Sequence, residues 1–223
     1  MKEKWNERFS AEEYIFGKDP NSFFKEEISK IQPGKILLPA DGEGRNGVYA
    51  ASLGWKVDAV DFSIEGKTKA EKLAKEKAVI INYEIHDLSV YVPPKNYYDA
   101  VGIFYLHMDE DLRKTVFDNL INSLKPNGKL VFESFEKEQI KFNSGGPKDE
   151  TLLFSLEEII TAFIDLEFET LAKEKIFLNE GKGHEGEGMV IRFVGRKTNE
   201  TQNKNPSQPL PKGRAFIKFG RDI

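Results

Sequence analysis

Cysteine is absent from the chain. Disulfides, thiolate metal sites and cysteine nucleophiles are therefore excluded, and the composition fits a cytoplasmic setting. Histidine is nearly as scarce: His86, His107 and His184 are far apart and suggest no metal cluster, so no metal is expected. No apolar run approaches the length needed to cross a membrane, and Met1-Lys2-Glu3-Lys4-Trp5 lacks the apolar centre of a signal peptide. Charge of one sign is also missing. The 33 Lys and Arg against 37 Asp and Glu leave a net charge of −4, which argues against a basic face for nucleic acid. No internal repeat is present.

The apolar fraction, 39%, supports a real core, while 31% charged residues and a mean hydropathy of −0.50 describe a soluble, heavily charged surface. A length of 223 residues suggests one domain with extensions. Residues 1–33 read as a helical lid, with amphipathic helices over 5–31 broken at Gly17-Lys18-Asp19-Pro20. Residues 34–196 read as the main domain. Residues 197–213 are almost wholly polar, and 197–223 are expected to form a flexible tail. Phe216, Ile217 and Phe219 give its end some capacity to dock.

Strands are expected at 35–38, 56–60, 79–85, 99–104 and 129–132, and two closing strands at about 166–178 and 188–195. Helices are expected at 45–53, 63–78 and 109–124. The last has Leu112, Val116, Leu120 and Leu124 in i+4 steps, a core-facing row. Ser155-Leu156-Glu157-Glu158 reads as a capping box that opens a further helix. Strands alternating with helices give an α/β fold, Rossmann-like and doubly wound. The expected sheet has seven strands, is mostly parallel, and ends in a C-terminal antiparallel hairpin.

Chemistry concentrates in Lys35-Ile36-Leu37-Leu38-Pro39-Ala40-Asp41-Gly42-Glu43-Gly44-Arg45-Asn46 and in Val57-Asp58-Ala59-Val60-Asp61-Phe62-Ser63. This is a buried strand, a glycine turn, a helix start and a second strand ending in an acid. It is how an α/β sheet builds a nucleoside pocket. Asp61 is placed to accept from both ribose hydroxyls, and Phe62 to pack on a base. Gly42, Gly44 and Gly47 spell G-x-G-x-x-G, and Asp61 follows Gly42 by about 20 residues, the dinucleotide spacing. An NAD-dependent oxidoreductase is therefore one reading. Against it, Pro39-Ala40-Asp41 separate the apolar run from the first glycine, a longer turn than a pyrophosphate needs.

The segment resembles motif I of class I S-adenosylmethionine methyltransferases. Gly42-Glu43-Gly44-Arg45-Asn46 is similar to the G-E-G-R-N of the small-molecule branch that includes tellurite-resistance and thiopurine-type enzymes. Trp5-Asn6-Glu7-Arg8-Phe9 with Tyr14-Ile15-Phe16-Gly17 resembles the opening of that branch, and the resemblance covers residues 5–196. It implies S-adenosylmethionine as cofactor and S-adenosylhomocysteine as product, held by Ala40 to Asn46, Asp61, Phe62, Ser63, Asp87, Leu88 and Phe104. Leu38 and Ala40 stand where many relatives have an acid and a glycine, so Asp41 and Glu43 are the nearby carboxylates for the ammonium or sulfonium charge.

For the acceptor side, the resemblance implies a lid built from Trp5, Arg8, Tyr14, Phe16 and Gly17, with Phe135, Gly145, Gly146 and Pro147 at the substrate. Tyr105 or Phe104 can meet the sulfonium by cation–π attraction. His107 is either a base or an ordinary loop residue. His184 matches a histidine of tellurite-resistance-type enzymes, but Glu185 replaces the arginine that follows it there, which does not suit an oxyanion. The expected activity is methyl transfer to a small-molecule acceptor, with a thiol or chalcogen anion favoured. No nucleic-acid or membrane partner is expected, and the chain is expected to be a monomer or weak homodimer. A non-catalytic S-adenosylmethionine-binding module is the remaining alternative.

Overall fold

The computed structural model describes residues 2–199 and 217–219. The sheet runs through β1 (Lys35–Pro39), β2 (Lys56–Asp61), β3 (Asn82–Ile85), β4 (Tyr98–Phe104), β5 (Leu124–Phe135), β6 (Leu166–Asn179), β7 (Glu185–Lys197) and β8 (Ile217–Phe219). Its spatial order is β3-β2-β1-β4-β5-β7-β6-β8. The first five strands are parallel, and β7 lies antiparallel to both β5 and β6. This is the expected seven-stranded Rossmann-like sheet with its closing hairpin. The short β8 adds to the outer edge of β6, with Leu171 beside Ile217.

Ile36, Leu37 and Leu38 of β1 are buried on both faces of the sheet, as a central parallel strand requires. Helices α2 (Ser22–Ile28), α3 (Arg45–Ser52) and α4 (Ile64–Glu76) flank the sheet. Phe24, Ile36, Leu38, Ala59 and Ala70 share one core cluster. Helices α5 (Glu110–Ser123) and α6 (Leu156–Ala162) cover the other face, where Val101, Phe117, Phe132, Phe163 and Phe193 interlock. Helix α1 (Lys2–Phe9) packs on α4.

Local signals explain most boundaries. Gly54 takes φ 91° just after α3, a C-terminal cap open to glycine. The Ser155 hydroxyl accepts from Glu158 N, and Ser155 N donates to the Glu158 carboxylate, completing the capping box. Other boundaries differ from expectation. The helices expected over 5–31 with a break at 17–20 are two short ones separated by the longer stretch 10–21, because Asn21 caps α2 by accepting from Phe24 N. Residues 79–81 leave α4 through Ala78 at φ 54°, so β3 starts only at Asn82. Leu112 is exposed, and the inward face of α5 is carried by Val116, Phe117, Leu120 and Ile121.

Lys197, expected to open the tail, is the last residue of β7, and its ammonium donates to Leu124 O at 2.7 Å. Residues 200–216 and 220–223, and with them most of the expected flexible tail, lie outside the described residues. No described helix is long and apolar enough to cross a membrane.

Candidate active site

Two adjoining cavities open at the C-terminal ends of β1, β2 and β4, where doubly wound sheets place their ligands. The first, about 440 Å³, lies between the glycine turn and the lid. The second, about 560 Å³, runs past β3. Ala40, Asp61, Phe62, Leu106 and His107 line both.

Asp61 ends β2 on the wall between them. One carboxylate oxygen accepts from Gly42 N at 3.1 Å and the other from Ser63 N at 2.8 Å. These bonds fix its orientation, while burial pushes its pKa up. Asp41 sits in the turn, accepts from Gly47 N at 3.1 Å, and is raised well above the ordinary value by burial. Neither carboxylate has a cation within ion-pair distance among the described residues. The cavity is therefore a place where hydroxyl donors or a positive group would be welcomed. Ala40 and Gly42 carry the turn at φ 54° and 55°. Gly44 takes φ 83° over Ala70, where a Cβ would lie 2.4 Å from the alanine Cβ.

Glu43, Arg45 and Asn46 also line the first cavity, but their polar groups hold other parts of the protein. The Glu43 carboxylate accepts from Ile15 N at 2.9 Å and from Lys69 Nζ at 2.8 Å. The Arg45 guanidinium donates to Phe16 O at 3.2 Å and pairs with Glu180 at 2.8 Å. Asn46 Oδ1 accepts from Asn21 N at 2.9 Å. The glycine turn is thus tied to the segment around Ile15 and Phe16 and to the tip of the β6–β7 hairpin.

The N-terminal segment supplies Trp5, Arg8 and Phe16 to the cavity, with the Arg8 guanidinium 5.1 Å from both ring centroids. Opposite them, Phe104 and Tyr105 leave β4, and Gly146, Pro147, His107 and His184 complete the wall. Tyr105 adopts φ 50° and donates its hydroxyl to Glu133 at 2.5 Å. Burial and the Glu133 charge push the phenol well above its ordinary pKa, so it stays neutral. His107 Nδ1 lies 3.3 Å from Leu152 O, and burial lowers its pKa to about 4. Burial also lowers His184, against the opposing pull of Glu180. Both imidazoles are neutral near pH 7.

Asp87 and Leu88 line only the second cavity. Asp87 is exposed and accepts from Ser89 N at 2.9 Å. Six expected site residues lie on neither wall. Gly44 shapes the turn. Ser63 caps α4 by accepting from Gly66 N and donates to Asn6 at 2.7 Å. Tyr14 donates its hydroxyl to Lys69 O at 2.9 Å, which packs it on α4. Gly17 meets Gly181 at the hairpin tip, Gly145 passes against Gly183 and His184, and Phe135 stands behind Tyr105 and His184.

Sequence reasoning missed Asn21 and Glu180 altogether. The Asn21 amide donates to Glu133 at 2.6 Å and to Glu180 at 3.0 Å. Glu133 is fully buried and pairs with Arg192 at 2.5 Å, giving a charge-balanced cluster behind the cavity. The available signals were faint: a capping asparagine after Pro20, and an acid four residues before His184. Among the described residues, no group of three or more acidic or histidine side chains is placed to hold a metal.

Residues 36–128 match the methyltransferase domain family. No curated protein matches the chain. Among solved structures, one described for the conversion of a disulfide bond into a thioacetal group during echinomycin biosynthesis is 18% identical, with a TM-score of 0.67 over 89% of this chain and 93% of that one. TehB from Haemophilus influenzae is 14% identical, with a TM-score of 0.68 over 88% and 67%. The N-methyltransferase NodS from Bradyrhizobium japonicum WM9, in complex with S-adenosylhomocysteine, is 12% identical, with a TM-score of 0.65 over 88% and 97%. At these identities the likeness shows a common fold. Residues 36–128 are thus similar to a methyltransferase domain, which supports an enzyme of methyl transfer.

Proposed function

We propose that this methyltransferase domain binds S-adenosylmethionine across the two cavities and delivers its methyl group to a small-molecule acceptor between the lid and the β6–β7 hairpin. The observation that carries the reading is the pairing of Asp61 and Asp41, two carboxylates on the cavity wall without cation partners, with a glycine turn that leaves room for a ligand's tail. In this reading Asp61 holds the ribose hydroxyls and Asp41 meets the ammonium. Phe62, Leu88 and Asp87 frame the adenine. The antiparallel β7, absent from an all-parallel dinucleotide sheet, favours this cofactor over NAD.

When bound, S-adenosylmethionine supplies a methyl already activated on a sulfonium. The protein's task is then alignment and exclusion of water. Trp5, Arg8 and Phe16 close one side, and Phe104 and Tyr105 give the sulfonium an aromatic wall. The ring-lined first cavity, about 440 Å³, suits a small acceptor, and direct displacement at a sulfonium methyl favours a soft nucleophile such as a thiol or a chalcogen anion.

The test is calorimetric titration with S-adenosylmethionine, S-adenosylhomocysteine and NADH, followed by a methylation assay with small thiols. Binding of the two adenosyl compounds and not NADH, with thioether formation, supports the reading. Binding of NADH alone replaces it with a dehydrogenase. Adenosyl binding without turnover on any acceptor supports a non-catalytic binding module.

A further inference from the structure

We propose that Glu180 and His184 form a proton-accepting pair, and that the acceptor enters the cavity as a protonated, weakly acidic nucleophile of the alkyl-thiol class. The proposal rests on the methyl-transfer reading above and adds to it the acceptor's protonation state and the residue that receives the proton.

The hairpin tip sets the pair. Glu180 N donates to His184 O at 2.8 Å and His184 N donates to Gly181 O at 3.2 Å, a closed turn. His184 Nδ1 then lies 3.3 Å from Glu180 Oε2. A carboxylate only accepts, so Nδ1 carries the proton and the lone pair is on Nε2. Arg45 grips one Glu180 oxygen at 2.8 Å and Asn21 grips the other at 3.0 Å, which prevents the carboxylate from turning away. The imidazole is wedged among Phe16, Tyr105 and Phe135 at ring centroid distances of 4.6, 4.3 and 5.1 Å. Gly145, at φ 118°, passes so close that a Cβ would lie 2.8 Å from His184 Cδ2. The ring is 3% exposed and lines the first cavity.

The surrounding charges suit a base that is neutral at rest and stabilised once protonated. Glu180 at the tip and Glu133 on β5 favour the imidazolium, while Arg45 on α3 opposes it and balances Glu180. His107 lines the same cavity and stacks on Phe135 at 6.1 Å. Among the described residues, its ring nitrogens meet the Leu152 carbonyl and no carboxylate at ion-pair distance.

In the step, the acceptor S–H gives its proton to His184 Nε2. The sulfur lone pair forms the bond to the methyl carbon, and the electrons of the breaking carbon–sulfur bond stay on the donor sulfur, leaving S-adenosylhomocysteine. The imidazolium, held by Glu180, returns its proton to water after the product leaves. Glu180 is a positioning residue, and His184 is the group that meets the substrate.

Two measurements test the pair. Long-range proton–nitrogen NMR of the free wild-type protein reports the His184 tautomer, expected with Nδ1 protonated; an Nε2-protonated ring overturns the proposal. Steady-state methylation by the wild type, Glu180→Gln and His184→Ala is then compared on 2-mercaptoethanol and on selenocysteamine, whose selenol is ionised near neutrality. Both variants are expected to lose about a hundredfold in kcat/KM on the thiol, less at alkaline pH, and to lose at least tenfold less than that on the selenol. Equal losses on both acceptors, or none on the thiol, overturn the proposal. Methylation of neither acceptor by the wild type overturns the acceptor class, whereas a wild type that binds no adenosyl compound strikes the underlying reading instead.

Discussion

Arg45 Nη2 lies 2.8 Å from Glu180 Oε2, and the side chains of both residues are at most about one-tenth exposed. The contact joins residues 135 positions apart. One belongs to the turn that would hold the cofactor, the other to the hairpin that walls the acceptor side. Arg45 also holds Phe16 O, so a single guanidinium ties turn, hairpin and lid together. The role expected for Arg45 from sequence was cofactor contact, and its observed polar partners are protein groups.

Asp61→Ala is expected to weaken S-adenosylhomocysteine binding by about 10- to 100-fold, roughly 1.4–3 kcal/mol. Calorimetry measures this directly, and unchanged affinity removes the ribose role.

Gly44→Ala should destabilise the fold by about 1–3 kcal/mol, because it adds strain at φ 83° to a collision with Ala70. Urea unfolding measures it. Gly54→Ala shares the positive φ but meets no atom within 4 Å, so it is expected to cost less.

Glu43→Gln removes the charge that Lys69 and the backbone of Ile15 share. Loss of about 1–3 kcal/mol is expected, since the Lys69 ammonium is left without its buried partner. Amide exchange at Ile15 and Phe16 should accelerate more than exchange at β1, which hydrogen-exchange mass spectrometry resolves.

His107 gives the protein an acid-side weakness. Its folded pKa, about 4, lies below the ordinary 6.5, so the unfolded chain binds its proton first. Stability from this group is complete above pH 6.5 and declines as pH falls toward about 4, by up to about 3 kcal/mol. His107→Gln should flatten that part of the pH–stability curve in denaturant titrations. Glu180, lowered to about 2 with His184 and Arg45 as partners, contributes stability above pH 4.5 that is lost as pH falls through about 2, a separate window.

Truncation after Asn199 should leave S-adenosylhomocysteine affinity within about twofold, because β8 lies at the opposite edge of the sheet from β3. A large loss in calorimetry would place the tail at the site.

The sheet was legible because its signals are local. Apolar runs such as Ile36 to Leu38, the turn at Gly54 and the capping box at Ser155 each act within a few residues. The nucleoside side was legible for the same reason, since Gly42 and Asp61 lie in consecutive elements. The acceptor side was not. Glu133, Asn21, Glu180 and Arg192 come from four distant parts of the chain, and their pairing exists only after β7 inserts between β5 and β6. The break expected at Gly17 to Pro20 proved longer, because Asn21 capped inward and residues 15 and 16 found partners in Glu43 and Arg45.

The insertion of β7 between β5 and β6 also divides the cavity wall into a fixed side and a tunable side. The hairpin tip at 180–184 and the loop at 144–147 reach the cavity without supplying a hydrogen bond to Asp61 or Asp41. Exchange of those two short segments can therefore re-specify the acceptor while the nucleoside side keeps its geometry. Such an architecture lends itself to diversification by segment grafting, with Arg45 and Asn21 among the side chains that a graft must continue to satisfy.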